Sequence, residues 1–127
     1  MYRVCVKKEF IAQHYLIGGD WGDENHPHSH HFVLDLELAG SNLDQHGYLF
    51  DIALIKEKLD STVKEFQDKL LNDRPEFKDL NPSVEHFCRI IADKLIAYMV
   101  NSGVQSLTVR LWEDKEAWAS YEIDLTK

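Results

Sequence analysis

Residues 28–40 have the sequence HSHHFVLDLELAG, and this stretch decides which fold we expect. From Phe32 on, every second residue is apolar, while Val33, Asp35 and Glu37 fall between them, so that one face of an extended chain would be apolar. This alternation is typical of a β-strand with one buried face. Gly40 and Ser41 then end the strand, because glycine and serine favour turns. The alternating apolar residues are Phe32, Leu34, Leu36 and Leu38.

The rest of the chain predicts three more strands and two helices around this one. β-type composition predicts a first strand over residues 2–15, and alternation predicts two last strands near residues 107–111 and 121–125. Apolar residues at three- and four-residue steps predict helices over residues 51–70 and from Asn81-Pro82 to Gly103. The order ββααββ predicts an α+β fold, a four-stranded antiparallel sheet with two helices on one face. We expect a single domain over residues 1–127, and a sheet with exposed edges favours assembly with identical copies.

The composition excludes several classes of partner. The chain of 127 residues has a formal net charge of −8, which disfavours nucleic acid and anionic membrane surfaces. Its first residues carry no long apolar stretch of the kind found in signal peptides or membrane spans. Cys5 and Cys88 form no CxxC motif, so we interpret both as free, buried thiols. Together these features predict a cytoplasmic protein.

Five of the seven histidines lie between His14 and His31, and their spacing suggests a metal site. His28 and His30 project to the same side of a strand, and His14 on the preceding strand can supply a third imidazole. Three imidazoles at the corners of a tetrahedron suit catalytic zinc, Zn²⁺, which keeps its fourth position for water or substrate. The spacing alone leaves open a cluster of solvated histidines without metal. His26 and His31 are expected to lie outside the ligand set.

Several motifs resemble the 6-pyruvoyltetrahydropterin synthase and 6-carboxytetrahydropterin synthase (queuosine-pathway) family. The resemblance covers nearly the whole chain, and the order of its motifs equals the predicted order of elements. The motifs are Phe10-Ile11-Ala12-Gln13-His14, His28-Ser29-His30, Tyr48-Leu49-Phe50-Asp51-Ile52, Asn81-Pro82-Ser83 with Glu85, and Trp112-Glu113.

This resemblance implies a site and an assembly. His14, His28 and His30 would be the zinc ligands, and the carboxylate of Glu113 would accept the paired N–H donors of a pterin ring. The family adopts the tunnelling fold (T-fold), in which subunits close a β-barrel. We therefore expect a homo-oligomer, a trimer or hexamer, with the active site between subunits.

The sequence differs from the family at the positions of the residues that transfer protons in catalysis. Glu24 occupies the position of the usual catalytic cysteine, and Gln67-Asp68 occupies that of an aspartate–histidine pair. A carboxylate can act as a general base in place of a thiolate. We therefore predict that Glu24 is the catalytic base and that Asp68 is its partner. Both residues can equally be surface charges.

The function predicted from these features is a zinc-dependent lyase that acts on dihydroneopterin or its triphosphate. A branch of the family with glutamate at the cysteine position cleaves the dihydroneopterin side chain to give 6-hydroxymethyl-dihydropterin, a folate precursor, and this reaction is one alternative. Basic residues are sparse near the motifs, which favours a substrate without the triphosphate. A second alternative, from another class, is a non-catalytic homologue that binds zinc and pterin.

Overall fold

The protein forms one antiparallel sheet, and a computed structural model describes all residues 1–127. The sheet has four antiparallel strands, as the sequence predicts, and they lie side by side in chain order. β2 lies between β1 and β3, and its alternating leucines bury one face of it. The strands are β1 (Tyr2–His14), β2 (His28–Gly40), β3 (Ser106–Trp112) and β4 (Trp118–Asp124).

Two helices cover one face of this sheet, α1 (Ile52–Lys64) and α2 (Val84–Leu95). Asp51 caps α1, because its side chain accepts a hydrogen bond from the Ala53 N–H. Ser83 caps α2, and its Oγ accepts a hydrogen bond from the His86 N–H. Neither helix combines the length and apolarity needed to cross a bilayer.

The hydrophobic core lies between the sheet and the helices. Side chains at even positions of β1 and β2 and at odd positions of β3 point into it, and the helices contribute their apolar stripes. At its centre Phe10, Phe32, Phe66 and Phe87 contact one another edge to face or stacked, with ring centroids 5.1 to 6.0 Å apart. This cluster lies directly beneath the histidines at the end of β1 and the start of β2. It therefore gives those histidines a rigid apolar base.

The predicted length of α1 is wrong at its C-terminal end. The helix stops at Lys64, because the chain turns through Asp68, whose φ is +60°, and runs to the edge of β1. There the Asp68 N–H donates to the Ile11 carbonyl at 2.7 Å, and the Gln13 N–H donates to the Lys69 carbonyl at 2.9 Å. Contacts to a distant strand therefore replace the last helical turn. α2 is also shorter than predicted, since it ends at Leu95 and continues only as a 3₁₀ turn.

The two cysteines differ in their surroundings. Cys88 is fully buried, and burial raises the pKa of its thiol to about 12. Cys5 is exposed on the sheet face opposite the helices, so its interpretation as a buried thiol is wrong. The even–odd pattern of β1 explains the error, because Cys5 lies between inward-facing Val4 and Val6. Neither thiol lines the site described below.

An ion-pair network beside α2 makes the stability of the folded chain depend on pH. Burial alone would raise the pKa of Glu76, but hydrogen bonds from Lys94 and Arg74 outweigh it and lower the pKa to about 2. The Glu76 Oε2 lies 2.7 Å from Lys94 Nζ and 3.1 Å from an Arg74 guanidinium nitrogen. Because the folded pKa lies below the unfolded one, this stabilisation is complete above about pH 4.5 and is lost as the pH falls towards 2.

Glu76→Gln is therefore expected to lower the free energy of unfolding by up to roughly 3 kcal/mol at pH 7. The difference from wild type should be smaller at pH 3, because Glu76 of the unfolded chain, with its higher pKa, is largely protonated there while Glu76 of the folded chain is still ionised. Urea unfolding at both pH values measures this. Glu65→Gln, which removes a more exposed carboxylate bound to the same Lys94, is the control and should have a smaller effect. An equal loss at both pH values would contradict the role of the Glu76 charge.

Candidate metal centre and adjoining cavity

Three imidazoles meet where β1 ends and β2 begins. The antiparallel register places His14 opposite His28 and Ala12 opposite His30, so all three histidines lie on the helix-facing side of the sheet. Their ring centroids are 4.6 to 4.8 Å apart, and one ring nitrogen from each lies within 4.8 Å of the other two. The structure thus brings together the residues that the sequence predicts as ligands.

Backbone carbonyls fix the orientation of two of these rings. His14 Nδ1 lies 2.9 Å from the Pro82 carbonyl, and His28 Nδ1 lies 2.8 Å from the His26 carbonyl. A carbonyl oxygen can only accept, so both Nδ1 atoms carry the proton and both Nε2 atoms keep a free lone pair. Burial also lowers the pKa of His14 to about 4, which keeps this imidazole neutral at neutral pH.

The free nitrogens fit a metal ion. The Nε2 atoms of His14, His28 and His30 are all buried, and none makes a well-aligned hydrogen bond, although Glu113 Oε1 lies 3.0 Å from His30 Nε2. Leaving buried polar atoms unpaired costs free energy, and three such atoms pointing at one place indicate a missing partner. Neutral imidazoles with their Nδ1 protons held by carbonyls are typical of zinc sites. The donor set therefore fits Zn²⁺ with one position left open.

Glu113 lies beside the three histidines, directly after β3. Its Oε1 is 3.0 Å from His30 Nε2 and 4.0 Å from His14 Nε2. Burial raises the pKa of this carboxyl, while the neighbouring His30 imidazole acts in the opposite direction. The side chain remains about 29 % exposed, so it can still meet a ligand entering from solvent.

Glu24 reaches the same place from the loop between β1 and β2. It lies in a 3₁₀ turn, Gly22–Asn25, and one carboxylate oxygen lies within 4.8 Å of ligand atoms of His30 and Glu113. The Glu24 carbonyl accepts the Leu16 N–H at 2.8 Å, which anchors the turn to the end of β1. A base at this position would act on a molecule held between the histidines and Glu113.

Asp68 is not part of the cluster that the three histidines form with Glu24 and Glu113 in the same chain. It is exposed in the turn after α1, and its backbone is bound to Ile11 on the edge of β1. His26 contributes its carbonyl to His28, and His31 points to the opposite sheet face, 3.4 Å from Glu9.

A cavity of about 210 Å³ adjoins the histidines, and part of its lining was not predicted from the sequence. Glu24 and Glu113 line it together with His14, as do Trp21 and Glu85. Trp21 was recognisable as the one aromatic residue in a loop of glycine and acidic residues, but no motif marks it as a site residue. No lysine or arginine of this chain lines the cavity.

Comparison with known proteins shows the family of this chain. A family model described as 6-pyruvoyl tetrahydropterin synthase matches residues 3–124. No match was found among curated proteins.

Solved structures show the same fold at low sequence identity. A 6-pyruvoyl tetrahydropterin synthase from Plasmodium vivax matches with a TM-score of 0.79 and 17% identity, covering 97% of this chain and 98% of the other. The corresponding protein from Caenorhabditis elegans matches with a TM-score of 0.78 and 22% identity, covering 98% of both chains. A Plasmodium vivax variant of the synthase has been solved with a glutamate, described as a catalytic residue, changed to alanine.

Proposed function

Because the chain belongs to the 6-pyruvoyl tetrahydropterin synthase family, we propose that it is a zinc-dependent lyase acting on a reduced pterin, dihydroneopterin or its triphosphate. The observation that carries the proposal is the set of three buried, unpaired Nε2 atoms beside two carboxylates. In this proposal His14, His28 and His30 hold Zn²⁺. Bound zinc would act as a Lewis acid on a side-chain oxygen of the substrate.

Glu113 is proposed to hold the pterin ring. Its two carboxylate oxygens match the adjacent N–H donors of the 2-amino-pyrimidinone edge, as in a bidentate ion pair. The contact with His30 at 3.0 Å supports this role, since it directs the carboxylate towards the histidines and not towards bulk solvent. The reacting side chain of the pterin would then lie between the histidines and Glu24.

The acidic cavity supports a substrate without phosphates. Glu24, Glu85 and Glu113 would repel a triphosphate, and no basic side chain of this chain offsets them. This favours cleavage of the dihydroneopterin side chain. Glu24 would accept the proton of the C2′ hydroxyl while the C1′–C2′ bond breaks and glycolaldehyde leaves. The electron pair remains on C1′, conjugated with the ring, and a proton then adds there to give 6-hydroxymethyl-dihydropterin.

A non-catalytic zinc- and pterin-binding homologue is the second candidate. The exposed position of Asp68, remote from the cavity, favours it, because this chain then offers no second proton-transfer group at the predicted place. Asp68 retains its proposed catalytic role only if it serves the site of another subunit. Turnover separates the two candidates, since both bind metal and pterin.

Assembly and location are further parts of the proposal. We propose that residues 1–127 form one pterin synthase-like domain that assembles as a cytoplasmic trimer or hexamer. β4 and the part of β1 before Ile11 leave a sheet edge free, and exposed Tyr2, Tyr48 and Ile52 border an apolar groove of about 530 Å³. Edges and apolar surface of this kind favour contact with further copies.

Incubation of zinc-loaded protein with dihydroneopterin and, separately, with its triphosphate tests the reaction. We expect 6-hydroxymethyl-dihydropterin and glycolaldehyde from dihydroneopterin, identified by mass, and little or no product from the triphosphate. A pyruvoyl or carboxy product from the triphosphate would instead assign the synthase chemistry of the family. Binding of zinc and pterin without any product would assign the non-catalytic function.

A further inference from the structure

Trp21 is an exposed aromatic residue at the mouth of the candidate site. About 45% of its surface is exposed, although a tryptophan on a polar loop would bury more apolar area by turning inward. It lines the cavity that also holds His14, Glu24 and Glu113. An exposed indole beside a functional cavity is explained if a ligand covers it.

The loop holds Trp21 in a fixed position. A Cβ atom at Gly19 would lie only 2.7 Å from the Trp21 Cη2 atom, so the indole packs against the glycine backbone and no larger residue fits there. The Trp21 N–H donates to Asn25 Oδ1 at 2.8 Å, and Asn25 Nδ2 donates to the Leu16 and Gly19 carbonyls at 3.0 Å. These contacts restrict the loop before any ligand binds, which lowers the entropic cost of binding.

The cavity chemistry identifies the class of ligand that Trp21 would contact. Carboxylates of Glu24, Glu85 and Glu113 line the cavity and accept N–H donors, while Trp21 supplies its one large apolar aromatic ring. A planar heterocycle with N–H groups along one edge satisfies both features, because its edge meets carboxylates and its face meets the indole. We propose that Trp21 is a substrate-positioning residue on which the pterin ring stacks while Glu113 binds the ring edge. This inference rests on the proposed function.

The test measures binding of neopterin, an oxidised pterin with the same ring edge, to zinc-loaded full-length protein by calorimetry. Trp21→Ala is expected to weaken binding about tenfold or more, as loss of aromatic stacking does elsewhere. Trp21→Phe should restore most of the affinity, because a phenyl ring still stacks. Gly19→Ala, which never touches the ligand, should also weaken binding because its Cβ displaces the indole.

Trp118→Ala is the matched control. Trp118 has similar exposure and lines a neighbouring cavity that shares Glu85 and Glu113 but contains no histidine, so its loss should leave the Kd unchanged. Zinc content and Tm should remain at wild-type values in all variants, which excludes a merely structural effect. Equal affinity of Trp21→Ala and wild type would overturn the inference, as would weakening by Trp118→Ala alone. If wild type binds no neopterin, the proposed function fails as well.

Discussion

Zinc is expected to disappear from the protein when either His14 or His30 is replaced by alanine. Two imidazoles cannot complete a tetrahedral site, so the affinity for zinc should fall by about a hundredfold or more. Turnover should fall below detection for the same reason. Metal analysis after gel filtration measures the zinc content directly, and it does not depend on knowing the substrate.

The choice of variants separates metal loss from misfolding. His14 also binds the Pro82 carbonyl, so His14→Ala removes a buried hydrogen bond along with the ligand. His30→Ala removes the ligand without that bond, and its side chain is about 19 % exposed. His31→Ala, next in the chain but on the opposite sheet face, is the control and should retain zinc. Full zinc content in His30→Ala, or equal loss in His31→Ala, would refute the predicted ligand set.

Glu24→Gln is expected to reduce kcat by about 10²- to 10⁴-fold while the protein keeps its zinc. Glutamine preserves the size and polarity of the side chain but cannot accept the substrate proton. KM should change little, because Glu113 and Trp21 are proposed to bind the ring and Glu24 to act only on the side chain. Steady-state kinetics with dihydroneopterin measures both constants.

Neighbouring carboxylates provide the comparison for Glu24. Asp23→Asn alters the adjacent residue in the same 3₁₀ turn and should leave kcat near the wild-type value. Asp68→Asn tests the second predicted catalytic residue, and a loss of kcat there would show that another subunit presents Asp68 to the site. If Glu24→Gln turns over at the wild-type rate, the base is another group and the assignment of Glu24 is wrong.

The sheet was predictable because its signals are local. Alternating apolar residues fixed the buried face of β2, and the same two-residue period placed His28 and His30 on one side. His14 was predictable as the third ligand candidate because it continues the two-residue spacing of Phe10 and Ala12, so its side chain points to the same face of β1. Side-chain direction along a strand is therefore enough to bring three ligand candidates together.

Features that depend on distant contacts were not predictable. The carbonyl that orients His14 belongs to Pro82, which lies 68 positions further along the chain. The early end of α1 depends on Asp68 and Lys69 pairing with β1, whereas the apolar period continues through Leu70. The place of Trp21 in the cavity depends on how its loop docks on the start of α2, where the Ile17 N–H donates to Asn81 Oδ1, 64 positions further along the chain. The spacing of apolar residues along the sequence carries no information about contacts of this kind.

The turn at Asp68 also limits where a strand of another chain can pair with the edge of β1. Its pairing with Ile11 and Gln13 uses the outward backbone groups at the histidine end of β1. Because outward groups recur every second residue of an antiparallel strand, those of Arg3, Cys5, Lys7 and Glu9 remain free. A strand from another chain can therefore add only along the first part of β1. Growth of the sheet along β1 therefore stops before the histidines.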